Sequence, residues 1–199
     1  KLKEKRSFIK SYLARDIDRI KNLYSSTGYN SSKVEAKIKK INNDSFDVLI
    51  EIVRGEQTKI SSIKFIGNKS LRSNRLKDIV ASEENKFWKI ISRNTNFSEN
   101  LINLDVRLLT NYYKSLGFYD VKINSNFAQI KKSGDAEIIY SIEEGNRYTI
   151  NKISTKVDSV FDKKLFFPLN KNFKKYIGEY YSPFKIKKLL EDLDELIDN

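Results

Sequence analysis

The chain has 199 residues, 39% of them hydrophobic and 12% aromatic, enough to build packed cores and too apolar for an unfolded polyelectrolyte. It holds no Cys and no His, which excludes thiolate and imidazole zinc sites and the Ser-His and Cys-His nucleophile pairs. Its net charge of +12 is spread as excesses of +5 over residues 1–57, +4 over 58–146 and +3 over 147–199, whereas a nucleic-acid footprint concentrates on one face.

The opening residues, KLKEKRSFIK, carry charge but neither an apolar stretch nor a small-residue cleavage site, so they do not read as a signal peptide. No run in the chain approaches the ~18 apolar residues of a membrane helix. The absence of Met predicts a piece excised from something longer, and the absence of Cys leaves the redox compartment open. Residues 16–38, DIDRIKNLYSSTGYNSSKVEAKI, read as an amphipathic helix stopped by Gly28 and leading into a strand. SKVEAKIKKI, the turn NNDS and FDVLIEIV then form a hairpin.

A longer unit occupies residues 58–146. Ile63 and Phe65 alternate with polar neighbours as a half-buried strand does, and Gly67-Asn68 stops that strand in a turn. Leu71, Leu76, Ile79 and Val80 are spaced for a short helix, and KFWKIISRNTN is an apolar cluster running into a polar loop. Ser98 is placed to N-cap the next helix, with Glu99 in its first turn. Leu101, Leu104, Leu108, Leu109, Tyr112, Tyr113 and Leu116 give that helix a broad apolar face, and Gly117 ends it. Two strands close the unit: Val121, Ile123 and Phe127 share one face of the first, and Ala136, Ile138, Tyr140 and Ile142 one face of the second, with Ser133-Gly134-Asp135 between them. The order is β-α-α-β-β.

Residues 147–199 begin with a predicted strand, RYTINKISTKV, and end in a helix that Ser182 caps and Pro183 opens. The linkers VRGEQTKI (53–60) and IEEGNRYTI (142–150) both run strand, Gly, next strand, too short and too stiff for a flexible tether. Asp16 and Asp105, Ile20 and Leu109, Tyr24 and Tyr113, Gly28 and Gly117, Tyr29 and Phe118 all stand 89 positions apart. A fixed period of this size means tandem modules. Residues 1–57 hold the end of one, 58–146 a whole one, and 147–199 the beginning of a third.

Chemistry is scarce in this pattern. Gly67-Asn68-Lys69-Ser70 lies between strand and helix, but it lacks the upstream Gly of a phosphate loop and reads as a tight turn. Glu143-Glu144 point to opposite faces of a strand, so they cannot act as a carboxylate pair, and a solvated strand end is expected. Tyr24, Tyr29, Tyr112, Tyr113 and Phe118 stand at helix-core spacing and read as packing residues rather than base-stacking platforms. Asp16 and Asp105 suggest a local polar contact at most. The residues indicate no catalytic group, cofactor or metal ligand.

IKFIGN at 63–68, LDVRLLTNYYKSLGFYDVKI at 104–123, RGEQTKI at 54–60 and EGNRYTI at 144–150, repeated in this order, resemble the POTRA (polypeptide-transport-associated) family. The match is to the arrays of barrel-bearing outer-membrane assembly factors, and KFWKIISRNTNFSENLINLDVRLL resembles the third POTRA domain of alphaproteobacterial members. Val157 stands where the complete module has Gly67, a departure in the third unit.

The resemblance implies an α+β fold of tandem POTRA modules, each with two helices on one face of a three-stranded mixed sheet. Gly28, Gly67, Asn68, Gly117 and Gly145 would be its structural turns and caps. It also implies a non-enzymatic periplasmic scaffold, part of a protein anchored in the outer membrane by a C-terminal β-barrel. Its partners would be unfolded β-barrel proteins and accessory assembly lipoproteins, with lipid head groups as a further partner of a basic surface. The second strand of the sheet, Val121, Lys122, Ile123, Asn124, Ser125, Asn126, Phe127 and Ala128, is the edge the resemblance assigns to strand addition. The alternative reading, a basic α+β nucleic-acid-binding module, predicts a clustered basic face and affinity that falls steeply with salt.

Overall fold

A computed structural model describes residues 9–42, 45–86, 93–130, 134–154, 156, 164 and 167–198; for residues 93, 125–130, 169, 170, 172, 193 and 196–198 it describes the backbone only. The elements run α1 (Lys10–Ser26), β1 (Lys33–Lys40), β2 (Phe46–Val53), β3 (Ile60–Ile66), α2 (Ser73–Lys77), a single 3-10 turn (Arg93–Thr95), α3 (Glu99–Ser115), β4 (Lys122–Ile130), β5 (Ala136–Glu143), α4 (Phe167–Lys174) and α5 (Pro183–Asp198). The expected β-α-α-β-β order is present from β3 to β5, in a mixed α+β fold. Its three-stranded sheet has the order β3-β5-β4, and β1 and β2 form a separate two-stranded sheet.

Two compact units emerge, and neither is contiguous in sequence. The first comprises Lys1–Lys64, Val80–Asp105 and Ser125–Ile139; the second comprises Phe65–Ile79, Val106–Asn124 and Tyr140–Asn199.

In the first unit β1 and β2 pair antiparallel, with Val34 opposite Ile52, Ala36 opposite Ile50 and Ile38 opposite Val48. One face of this ribbon is therefore apolar, as alternation requires. Counting 90 residues on, Phe46 and Ile52 of β2 correspond to Ala136 and Ile142 of β5. The former pair is 42% exposed and the latter 0% and 3%. The difference has a simple source: β5 is flanked by two strands, whereas β2 has only β1 among the described residues. At the front of α3, the Ser98 hydroxyl accepts the Leu101 N–H at 3.3 Å, the predicted N-cap.

In the second unit α3 ends at Ser115, and Gly117 at φ +100° turns the chain away, its N–H returning to the Lys114 carbonyl. Tyr113 and Phe118 are buried and meet edge to face at 5.6 Å with an interplanar angle of 76°. Tyr24 and Tyr29, 89 residues earlier, meet at 6.1 Å and the same 76°. The repeated aromatic pair packs ring against ring in both places, buried in Tyr113 and Phe118, where each ring contributes ~2–3 kcal/mol, and half-buried in Tyr24 and Tyr29. Phe65 stacks on Tyr140 at 5.5 Å. A smaller core gathers Phe173 and Leu189 with Ile153, Tyr176 and Ile186.

The predicted strand RYTINKISTKV does not form over its described residues, where Thr149 makes one isolated bridge to Tyr180. A strand needs a partner, and among the described residues no second hairpin follows it as β4–β5 follows β3. The backbone of Ile150 is satisfied instead by the 178–179 segment: its N–H donates to the Glu179 carbonyl and its carbonyl accepts the Gly178 N–H. The apolar cluster at 87–92 and the turn residue Ser133 lie outside the described residues.

Candidate strand-docking edge and module joints

Among the described residues Lys122–Ile130 occupies one outer position of the β3-β5-β4 sheet, beginning one residue after Val121. Val121 lies just before the strand, buried, and Ile123 is buried beside it, while Lys122 and Asn124 are exposed. The side chains of Ser125, Asn126, Phe127 and Ala128 lie outside the described residues. The other outer strand, β3, is capped along its rim: the Ile63 N–H donates to the Glu84 carboxylate at 3.1 Å, and the Ile60 carbonyl accepts the Asn85 N–H at 2.7 Å. Backbone groups covered in this way are closed to a further strand.

Two buried carboxylates hold this sheet and its helices in place. Asp105 is fully buried, and its Oδ1 accepts the N–H groups of Ala81 and Ser82 at 2.6 and 3.1 Å. That pins the chain leaving α2 to the middle of α3. Asp16, its counterpart, pairs with the exposed Arg19 at 3.3 Å, one turn on in the same helix.

Glu144 corrects the expectation of a solvated strand end. It is 9% exposed. Its carboxylate accepts the Ser70 N–H at 2.9 and 3.1 Å, the Ser70 hydroxyl at 2.7 Å and the Tyr113 hydroxyl at 3.1 Å. Three charge-assisted donors offset the cost of removing the carboxylate from water. The Gly-Asn-Lys-Ser turn does bind an anion, and that anion is the protein's own. Gly67, at φ +85°, packs so closely on the Ile142 carbonyl that no side chain fits. Asn68 holds the turn by donating to the Leu71 carbonyl at 2.8 Å. Burial, and then the bond to Glu144, push the Tyr113 hydroxyl well above the usual tyrosine range.

The linkers end in two joints with one backbone plan. In the first, Thr58 N–H donates to the Gly28 carbonyl at 3.0 Å and Phe97 N–H to the Thr58 carbonyl at 2.8 Å. In the second, Tyr148 N–H donates to the Gly117 carbonyl and Tyr181 N–H to the Tyr148 carbonyl, both at 2.9 Å. Even a side chain repeats: Gln57 Nε2 donates to the Thr27 carbonyl at 3.1 Å, and Arg147 Nε to the Leu116 carbonyl at 2.7 Å. The remaining side chains differ. The second joint is aromatic, with Arg147 over the Tyr180 ring at 3.2 Å and Tyr119 edge-on to Tyr181 at 5.3 Å. The first is polar, with Asn30 Nδ2 donating to the Phe97 carbonyl. Gly55 and Gly145, at φ +70° and +69°, turn the two linkers alike.

Comparison with known proteins agrees with this geometry. The POTRA family, described as surface antigen variable number repeat, matches residues 58–145. Residues 58–145 are a POTRA domain. Around it, the chain is 24% identical over 159 residues to the outer membrane protein assembly factor BamA of Neisseria meningitidis serogroup B, covering 79% of this chain and 20% of that protein. It is 28% identical over 188 residues to BamA of Buchnera aphidicola, covering 89% and 28%. The chain thus spans under a third of the length of these relatives. A crystal structure of Haemophilus influenzae BamA POTRA3-5 matches with a TM-score of 0.51 at 18% identity, over 97% of this chain and 71% of that one, a likeness of fold. Among the described residues no group of three or more Asp or Glu is placed to hold a metal, and no helix is long and apolar enough to cross a membrane.

Proposed function

We propose that this chain is a non-enzymatic periplasmic scaffold within an outer-membrane protein assembly factor, and that it receives extended segments of unfolded β-barrel proteins along β4. The observation that carries this reading is the position of Lys122–Ile130 at the outer rim of a POTRA sheet whose opposite rim is capped by Glu84 and Asn85. Backbone pairing tolerates varied side-chain sequences, which suits a receiver of many clients. Residues 1–57 and 147–199 serve as parts of the preceding and following POTRA domains, with accessory assembly lipoproteins and lipid head groups as further partners. A transmembrane β-barrel would anchor the parent protein.

The test is an NMR amide titration of the 199-residue chain with extended peptides cut from an outer-membrane barrel protein. Shifts concentrated on residues 121–128 support strand addition. Unchanged amides there at millimolar peptide would remove direct client capture and leave this chain a spacer or a docking site for accessory subunits.

A further inference from the structure

The first joint contains a cleft of about 660 Å³, within the size range of small-ligand sites. Tyr29, Asn30, Ser31, Arg54, Gln57 and Thr58 are among its walls. What belongs in it is indicated by the second joint. There the Tyr148 side chain crosses from the linker to the loop after α3, and its hydroxyl donates to Asp120 Oδ2 at 2.6 Å. The equivalent positions in the first joint are Thr58 and Ser31, and both line the cleft.

The two loops approach each other alike in both joints. A side chain begun at Gly145 would stand 3.1 Å from the Asp120 Cβ, and one begun at Gly55 would stand 2.7 Å from the Ser31 hydroxyl. The backbone frame is therefore repeated, but where the second joint carries an aromatic ring the first carries a threonine.

We propose that this cleft receives a tyrosine side chain from an extended segment of a partner protein, seated as Tyr148 is seated in the second joint. Three features suit that occupant. Tyr29 supplies an aromatic wall, already covered on one face by the Arg54 guanidinium at 4.8 Å. Arg54 is exposed, and its cation can serve a second ring brought in from solution. The Ser31 hydroxyl stands where Asp120 accepts the phenol in the second joint and can accept one in turn. The flanking main chain of the guest would run past Gly134 and Asp135, which line the same cleft. The walls of the cleft include no β4 residue, and the proposal does not rest on strand addition.

The experiment compares two blocked peptides, Thr-Val-Tyr-Val-Thr and Thr-Val-Ala-Val-Thr, added to the full chain and followed by NMR. The tyrosine peptide should shift the amides of Tyr29, Ser31, Arg54, Gly55 and Thr58 saturably, and the alanine peptide should bind at least about tenfold more weakly. Arg54→Ala, an exposed change, should weaken the tyrosine peptide several-fold. The double variant Ser31→Asp, Thr58→Tyr rebuilds the second joint in the first and should abolish binding while the residue 58 and Phe97 amides stay protected from exchange. Equal affinity for the two peptides, or undiminished binding to the double variant, would overturn the proposal. So would shifts confined to residues 121–128, which would instead report pairing along β4.

Discussion

At the residue scale, two buried carboxylates tie together segments far apart in sequence. Asp105 answers two backbone N–H groups inside the protein. Asp105→Ala takes the acceptor from the buried Ser82 N–H and the half-buried Ala81 N–H, and the expected loss of stability is ~2–4 kcal/mol by denaturant unfolding. Asp105→Asn keeps one oxygen and should lose less. Neither role could be read from the sequence, because the partners of Asp105 lie 23 and 24 residues away and those of Glu144 lie 74 and 31 away. Chain neighbours suggested a solvated end for Glu144, and only the fold brings Ser70 to it. Tyr113 gives a pH signature. Its hydroxyl is held above the unfolded value of about 10, so the stability it contributes is complete below that pH and is lost as pH rises through the folded value. Phenolate absorbance should show Tyr113 silent until the protein unfolds in alkali.

At the element scale, legibility followed partnership. β5 alternates buried and half-buried residues along almost its whole length, because both its flanks are paired. Its period of two was plain in Ala136, Ile138, Tyr140 and Ile142. Helix α3 was equally readable, since Ser98, Glu99 and Gly117 mark its ends by local chemistry. The predicted strand after residue 147 has an alternating pattern too, but the pattern describes a face and not a partner. Its backbone went to the 178–179 segment. The family resemblance alone pointed to β4 as the receiving edge, and the capping of the β3 rim was beyond sequence, for it depends on Glu84 reaching the Ile63 N–H.

At the scale of the whole molecule, compactness is organised around the joints rather than around the 89-residue repeat. Each joint lies entirely inside one compact unit, and each unit draws on residues from both sides of a linker. In the second joint Arg147 ties a carbonyl, Phe118 and Tyr180 together. Arg147→Ala should therefore speed amide exchange at Tyr148 and Tyr181 by about tenfold, the equivalent of one strong cation–π contact. Thr58 and Phe97, in the other joint, should be unchanged. A general speeding of exchange across α3 and β5 would mean that Arg147 serves the domain and not the joint.

Both joints are closed by main-chain groups, and every amino acid but proline brings the same N–H and C=O to them. A stretch of gene copied end to end would therefore arrive with its connector already working, before any surface had been selected to fit. Side chains could then drift apart, toward a ring-filled seam in one place and an open slot in another, without undoing the connection. The same property makes the array a candidate for grafting. Segments exchanged at Gly28 and Gly117 should still dock, because the two joints share this fastening.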